Sequence, residues 1–208
     1  MNSQTWLLIF IYLLCTIIDS HASEHQGKRY GKVLLIPLLE GMLFLNQKKA
    51  ILLSLALLFC WGGDLFLIHK SLKRNMTGML CFLCGHVLYA FLFAGRITKI
   101  SITYLLTGIV IYGCFMTFYF RKIWCHATGK LKVSSMIYMM TIFLMSFFSF
   151  LSISSDGVSG WISWTGTFLF VISDTLISDQ LFRHLPQKGV MEIYGPAQLL
   201  IVIGFLLH

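Results

Sequence analysis

Asp64, in the run W-G-G-D-L-F-L-I, and Asp174, in F-V-I-S-D-T-L, are carboxylic acids set inside otherwise apolar stretches of a 208-residue chain. An ionisable side chain in such a stretch costs about 2.5 to 3.5 kcal/mol to place in a bilayer, so each one requires a reason. Glu40, His86 with Tyr89 in G-H-V-L-Y, and Tyr194 with Gln198 are the other polar groups in this position. His86 and Tyr89 are three residues apart and Tyr194 and Gln198 four, so on helices each pair projects from one face. Thr167, Phe170 and Asp174 form a similar stripe. A single Asp, His or Gln in a membrane helix often only ties neighbours together, for about 0.6 to 2 kcal/mol. Glu40 has a further option, because a long side chain in a short span can snorkel to the interface. Two acids at one depth exceed what helix pairing requires. Buried together, one carboxyl group can keep its proton while the other stays anionic, the division of labour that acid and base catalysis needs.

The elements that carry these groups follow from composition. Of all positions, 57% are apolar or aromatic and only 12% charged, with a mean hydropathy of +0.80. A soluble domain of this size carries about 25% charged residues, so an ordinary globular fold and disorder are both excluded. Three prolines and 17 glycines leave long uninterrupted runs, which argues for helices over the short alternating strands of an outer-membrane barrel. The expected class is an all-α, polytopic membrane protein with about eight transmembrane helices in a single domain over residues 1–208. The runs fall near 5–18, 33–45, 50–68, 78–95, 100–119, 133–153, 161–181 and 192–207. The first is read as a retained helix, because Met1 to Thr5 carry no basic side chain; a signal peptide ending at Ser20-His21-Ala22 is the alternative.

Lysine and arginine are held on the cytoplasmic side during insertion. Twelve of the 16 basic residues (Lys28, Arg29, Lys32, Lys70, Lys73, Arg74, Arg121, Lys122, Lys130, Lys132, Arg183 and Lys188) lie at odd-numbered connections; Lys48, Lys49, Arg96 and Lys99 lie at even ones. The odd connections are therefore expected in the cytoplasm, with both termini and a Ser/Gly-rich sixth connection, Ser152 to Gly160, on the far side of the cell (inner) membrane. Asp64, Asp174, Glu40, His86 and Gln198 then share a level about 6 to 12 Å deep from the cytoplasmic ends of their helices. The net charge of +8 is accounted for by topology and anionic lipid, and no nucleic-acid partner is expected.

The run C-F-L-C-G-H at 81–86 resembles haem attachment, but Gly85 breaks that motif, and the six cysteines read as small hydrophobes. Asp64, His86, Asp174 and Glu40 as ligands of a metal that activates water against an ester or amide form a competing enzyme reading. One histidine with no H-x-x-x-H pair is a poor zinc donor set, and neither a metal nor another cofactor is expected. A small carrier would also place acids beside broken helices, with Pro37 and Pro196 as candidate breaks. Against it, the polar groups gather toward one face instead of lining a route across.

G-G-D-L at 62–65, G-H-V-L-Y at 85–89, G-T-F-L-F-V-I-S-D-T at 166–175 and Y-G-P-A-Q-L-L-I at 194–201 resemble, in order and spacing, the YhhN-like lysoplasmalogenase family of integral membrane hydrolases. Lys32 to Pro37 looks like a loosened form of that family's Lys-Pro segment. The resemblance covers about residues 30–205. It implies an eight-helix enzyme that hydrolyses the vinyl ether bond of lysoplasmalogens to a fatty aldehyde and glycerophosphoethanolamine or glycerophosphocholine, with Asp64 and Asp174 matching the suspected catalytic acids. On that reading His86 orients a carboxylate or relays a proton. Glu40, Tyr89, Ser173, Tyr194 and Gln198 are the expected contacts to water and the glycerol portion, and Lys32 meets the phosphate of the lysophospholipid at the interface. Phe91, Phe93, Phe168 and Phe170 are candidates for contact with the lipid tail.

Overall fold

The computed structural model describes residues 3–26, 32–47, 50–68, 72–126, 129–183 and 190–208. Across these residues the eight apolar runs form eight helices: α1 (Ser3–Gln26), α2 (Lys32–Leu45), α3 (Ile51–Leu67), α4 (Leu72–Arg96), α5 (Ile102–His126), α6 (Gly129–Asp156), α7 (Val158–Arg183) and α8 (Val190–Leu206). Several outrun their apolar cores because long basic side chains can lie along a helix and put their charge at the interface. Arg74 thus sits in the first turn of α4, Lys132 in that of α6, and Arg121 and Lys122 near the end of α5. Lys28, Arg29, Lys48, Lys49, Lys70 and Lys188 lie outside the described residues.

The sixth connection departs from its expected extent. Residues 152–156 continue α6 and α7 begins at Val158, so the turn is the single residue Gly157. Its φ of +59° lies in the left-handed region that glycine enters without steric cost. The neighbouring serines do not open a loop because Ser152, Ser154 and Ser159 donate to the carbonyls of Ser149, Leu151 and Asp156 three residues back. Pro37 and Pro196, the candidate breaks, lie inside α2 and α8, which run through them.

Among the described residues four segments are long and apolar enough to cross a bilayer: Ser3–His21, Arg74–Arg96, Ile102–Lys122 and Lys132–Asp156. The polarity of the molecule is inverted relative to a water-soluble protein. Trp6, Phe10, Ile109, Val110 and Phe118 are exposed on α1 and α5, while Asp64, His86 and Gln198 are completely buried. Lipid-facing apolar surface and interior polar groups are what a bilayer solvent selects. The chain is a polytopic helical membrane protein.

Helices α2, α3, α4, α6, α7 and α8 follow one another around a ring, with α8 closing back lightly on α2. Outside this ring, α1 lies over the junction of α2 and α8, and α5 lies against α6. The α7–α8 wall is tight because a Cβ on Gly166 would stand 2.7 Å from Ala197 O and 2.8 Å from Ile201 N, backbone atoms that cannot move aside. Gly166→Ala is expected to lower stability by about 1 to 3 kcal/mol through overpacking. Thermal unfolding in detergent measures this, with Gly95→Ala, whose Cβ meets nothing within 4 Å, as the control. At the far end of the ring Arg96 Nε pairs with Asp156 Oδ2 at 2.8 Å, and the guanidinium lies 4.3 Å from the Phe205 ring centroid, tying α4, α6 and α8 together.

Candidate active site

Every helix of the ring contributes to one polar interior. Lys32 is the first residue of α2 and is 4% exposed. Its Nζ lies 3.3 Å from Asp64 Oδ1 on α3, and the Tyr194 hydroxyl of α8 donates to Asp64 Oδ2 at 2.7 Å. The lysine also lies 5.0 Å from the Tyr194 ring centroid, so cation, phenol and carboxylate form one closed group. Lys32 thus turns inward to Asp64 in this structure. A buried carboxylate needs a compensating cation, and the helix start places one against it.

Asp174 on α7 has different surroundings. The Tyr138 hydroxyl of α6 donates to its Oδ2 at 2.8 Å, and His86 Nε2 of α4 is 3.9 Å from the same oxygen. Among the described residues no lysine or arginine pairs with Asp174, although Lys32 and Asp64 both lie near enough to act on its charge. His86 is completely buried, its ring at right angles to Phe170 with centroids 4.8 Å apart. It is an imidazole poised beside Asp174 and not yet bonded to it.

One tier deeper, Tyr89 donates to Gln198 Oε1 at 2.8 Å, bridging α4 and α8, and the Gln198 side chain also meets Cys60 of α3. Three and four residues separate this tier from His86 and Tyr194, about 4.5 to 6 Å along each helix. Ser173 turns the other way, donating weakly to Val190 O at 3.5 Å, and so closes the α7–α8 corner instead of facing the acids. Glu40 accepts from Ser54 at 2.9 Å. It stands eight residues beyond Lys32 on α2, about 12 Å along the helix, and lies near enough to Tyr89 to act on its charge. The expected single level is thus two tiers, with Glu40 near the deeper one.

Of these candidate phenylalanines Phe170 borders the acids, packed between His86 and Tyr194, as is Phe82. Phe93 is core against Phe205, Phe168 packs on Trp164 and Phe115, and Phe91 is 68% exposed on the lipid side. Tyr138 is the site residue that the sequence alone does not single out. Its signal is positional: α6 and α7 are a hairpin about Gly157, and Tyr138 and Asp174 lie 19 and 17 residues from that turn.

Among the described residues no group of three or more His, Cys, Asp or Glu side chains is placed to hold a metal ion. What the arrangement offers is two buried carboxyl groups in unequal settings, one with a cation and a phenol, the other with a phenol and an imidazole. Fold and site together define a helical membrane protein whose polar groups are gathered inside a six-helix ring.

The model of the YhhN family matches residues 27–205, and the chain belongs to that family. No curated protein and no solved structure matches it.

Proposed function

We propose that this YhhN-family protein hydrolyses the vinyl ether bond of lysoplasmalogens, releasing a fatty aldehyde and glycerophosphoethanolamine or glycerophosphocholine. The observation that carries the reading is the inequality of Asp64 and Asp174. A vinyl ether resists base and nucleophiles but yields when its β-carbon is protonated, so the enzyme must supply one acid and one anion. Lys32 compensates the charge of Asp64 and Tyr194 donates to it, which suits the anion. Asp174 has no contacting cation among the described residues and suits the acid, as in other sites where environment sets two carboxyl groups apart.

On this account Asp174 gives its proton to the β-carbon and the double bond becomes an oxocarbenium ion that Asp64 stabilises. Water adds to the cationic carbon and its proton passes to Asp64, forming a hemiacetal. Asp64 then returns that proton to the glycerol oxygen as the C–O bond breaks, and Asp174 takes the hemiacetal proton, so both groups end as they began. His86 steadies the anionic form of Asp174 midway through the cycle. Tyr89 and Gln198 line the deeper tier beside the glycerol portion or the attacking water.

The distribution of basic residues orients this site toward the cytoplasmic leaflet, where a lysolipid's vinyl ether lies just beneath its headgroup. The reading is tested by incubating purified protein in detergent with a lysoplasmalogen and with an ester lysolipid, assaying aldehyde and fatty acid separately. Aldehyde from the first and no fatty acid from the second is expected, and turnover is expected to survive a chelator. Fatty acid release, or an unchanged vinyl ether, would reject it.

Tyr138→Phe removes the hydroxyl that aims Asp174 and keeps the ring. Aldehyde release is expected to fall about tenfold, the loss of one charge-assisted hydrogen bond worth roughly 1.5 kcal/mol, with substrate KM little changed. Initial rates across a substrate series check it.

A further inference from the structure

The family match begins at residue 27, so α1 (Ser3–Gln26) lies outside it. In the fold, however, α1 is fastened to the helices of the site at three levels. Asn46 donates to Thr5 at 2.9 Å, Tyr12 donates to Gly195 O at 2.9 Å, and Ser20 donates to Glu192 at 2.9 Å. Tyr12 is completely buried, and its phenol lies near enough to Asp64 to feel that charge.

The middle contact falls where α8 is weakest. Pro196 has no N–H, so the Glu192 carbonyl loses its intrahelical donor and the turn between them is loosened. Tyr194 and Gly195 lie inside that turn. Tyr194 points inward to Asp64 Oδ2, while Gly195 is gripped from outside. A Cβ there would stand 2.5 Å from Thr16 Cγ2, so only glycine lets α1 approach. The Thr16 hydroxyl in turn donates to Tyr12 O at 2.9 Å, holding that stretch of α1 together. Two consecutive residues of α8 are thus fixed from opposite sides, one by the catalytic carboxylate and one by α1.

We propose that α1 is a working wall of the site, and that Tyr12 is a positioning residue that acts through Gly195 on the Tyr194–Asp64 hydrogen bond. The inference rests on the catalytic reading for its effect on rate and on the packing alone for its effect on α8. Misplacing an aiming group by a fraction of an ångström costs rate without removing any contact to substrate.

The test uses the full-length protein as Tyr12→Phe, Tyr194→Phe and the double variant. Tyr12→Phe keeps the buried ring and removes only the hydroxyl. It is expected to lower kcat five- to tenfold with KM within twofold, and to speed hydrogen exchange of the backbone at 192–199 while α4 and α6 stay as protected as before. Because both residues act on one hydrogen bond, Tyr12→Phe should add no further loss in the Tyr194→Phe background. Unchanged kcat in an active protein, or losses that multiply in the double variant, would overturn the proposal. If the unaltered protein releases no aldehyde, the catalytic reading fails by itself. Exchange then decides this one: unaltered protection at 192–199 overturns it, and selective loss there upholds the grip of α1 on α8.

Discussion

Asp174→Asn is expected to reduce aldehyde release by about 10²- to 10⁴-fold, the usual contribution of a positioned general acid, while the protein unfolds at nearly the same temperature. Asparagine occupies the same volume and still accepts from Tyr138, and the carboxyl group it replaces has no ion pair with lysine or arginine among the described residues. Nothing structural is therefore lost with the proton. Asp64→Asn is expected to be as inactive but for a different reason, and with a second consequence. It removes the anion that receives water's proton, and it leaves Lys32 buried at 4% exposure without a counter-charge. Aldehyde assay and thermal unfolding on the same preparations separate the two outcomes. Wild-type turnover in either variant would remove that carboxyl group from the mechanism.

Lys32→Met is expected to destabilise the protein by about 3 to 5 kcal/mol, because a buried carboxylate is left unpaired. The pair Lys32–Asp64 spans α2 and α3, whose side chains here are 5% and 0% exposed, so water cannot take the lysine's place. The diagnostic variant is the double replacement Lys32→Met with Asp64→Asn. Substituting both members of a buried ion pair by neutral groups of similar size is often close to neutral. The double variant should therefore recover most of the lost stability while remaining inactive. Denaturation in detergent of the two single variants and the double one completes the cycle. Additive stability losses would mean that the two groups do not interact, and recovered activity would deny Asp64 a chemical role.

The eight helices were legible because each apolar run has one physical use in a bilayer, and serine-rich turns misled only where glycine alone suffices to reverse the chain, at Gly157. The two acids, His86, Tyr194 and Gln198 were legible because a polar group in hydrocarbon demands explanation. Their partners were not, since pairing depends on which helices adjoin. Lys32 counted as a basic residue at a connection, yet it and Asp64 lie 16 residues to either side of position 48, equidistant about the α2–α3 turn, and so meet. Tyr138 meets Asp174 in a similar way, 19 and 17 residues to either side of Gly157. The two tiers do not separate in the sequence, because residues three or four apart on a helix differ in depth by only about 4.5 to 6 Å. Tyr12 gave no signal at all: a tyrosine on a lipid-facing helix ordinarily belongs to packing, and its contact with Gly195 is 183 residues distant in sequence.

The most direct test of the central claim is the isotopic content of the aldehyde formed in heavy water. Protonation of the vinyl ether carbon by Asp174, whose acidic hydrogen exchanges with solvent, predicts one deuterium on the carbon next to the carbonyl in each aldehyde molecule trapped as it forms. Aldehyde carrying no deuterium at that carbon would show that no proton was delivered there, and would contradict the account.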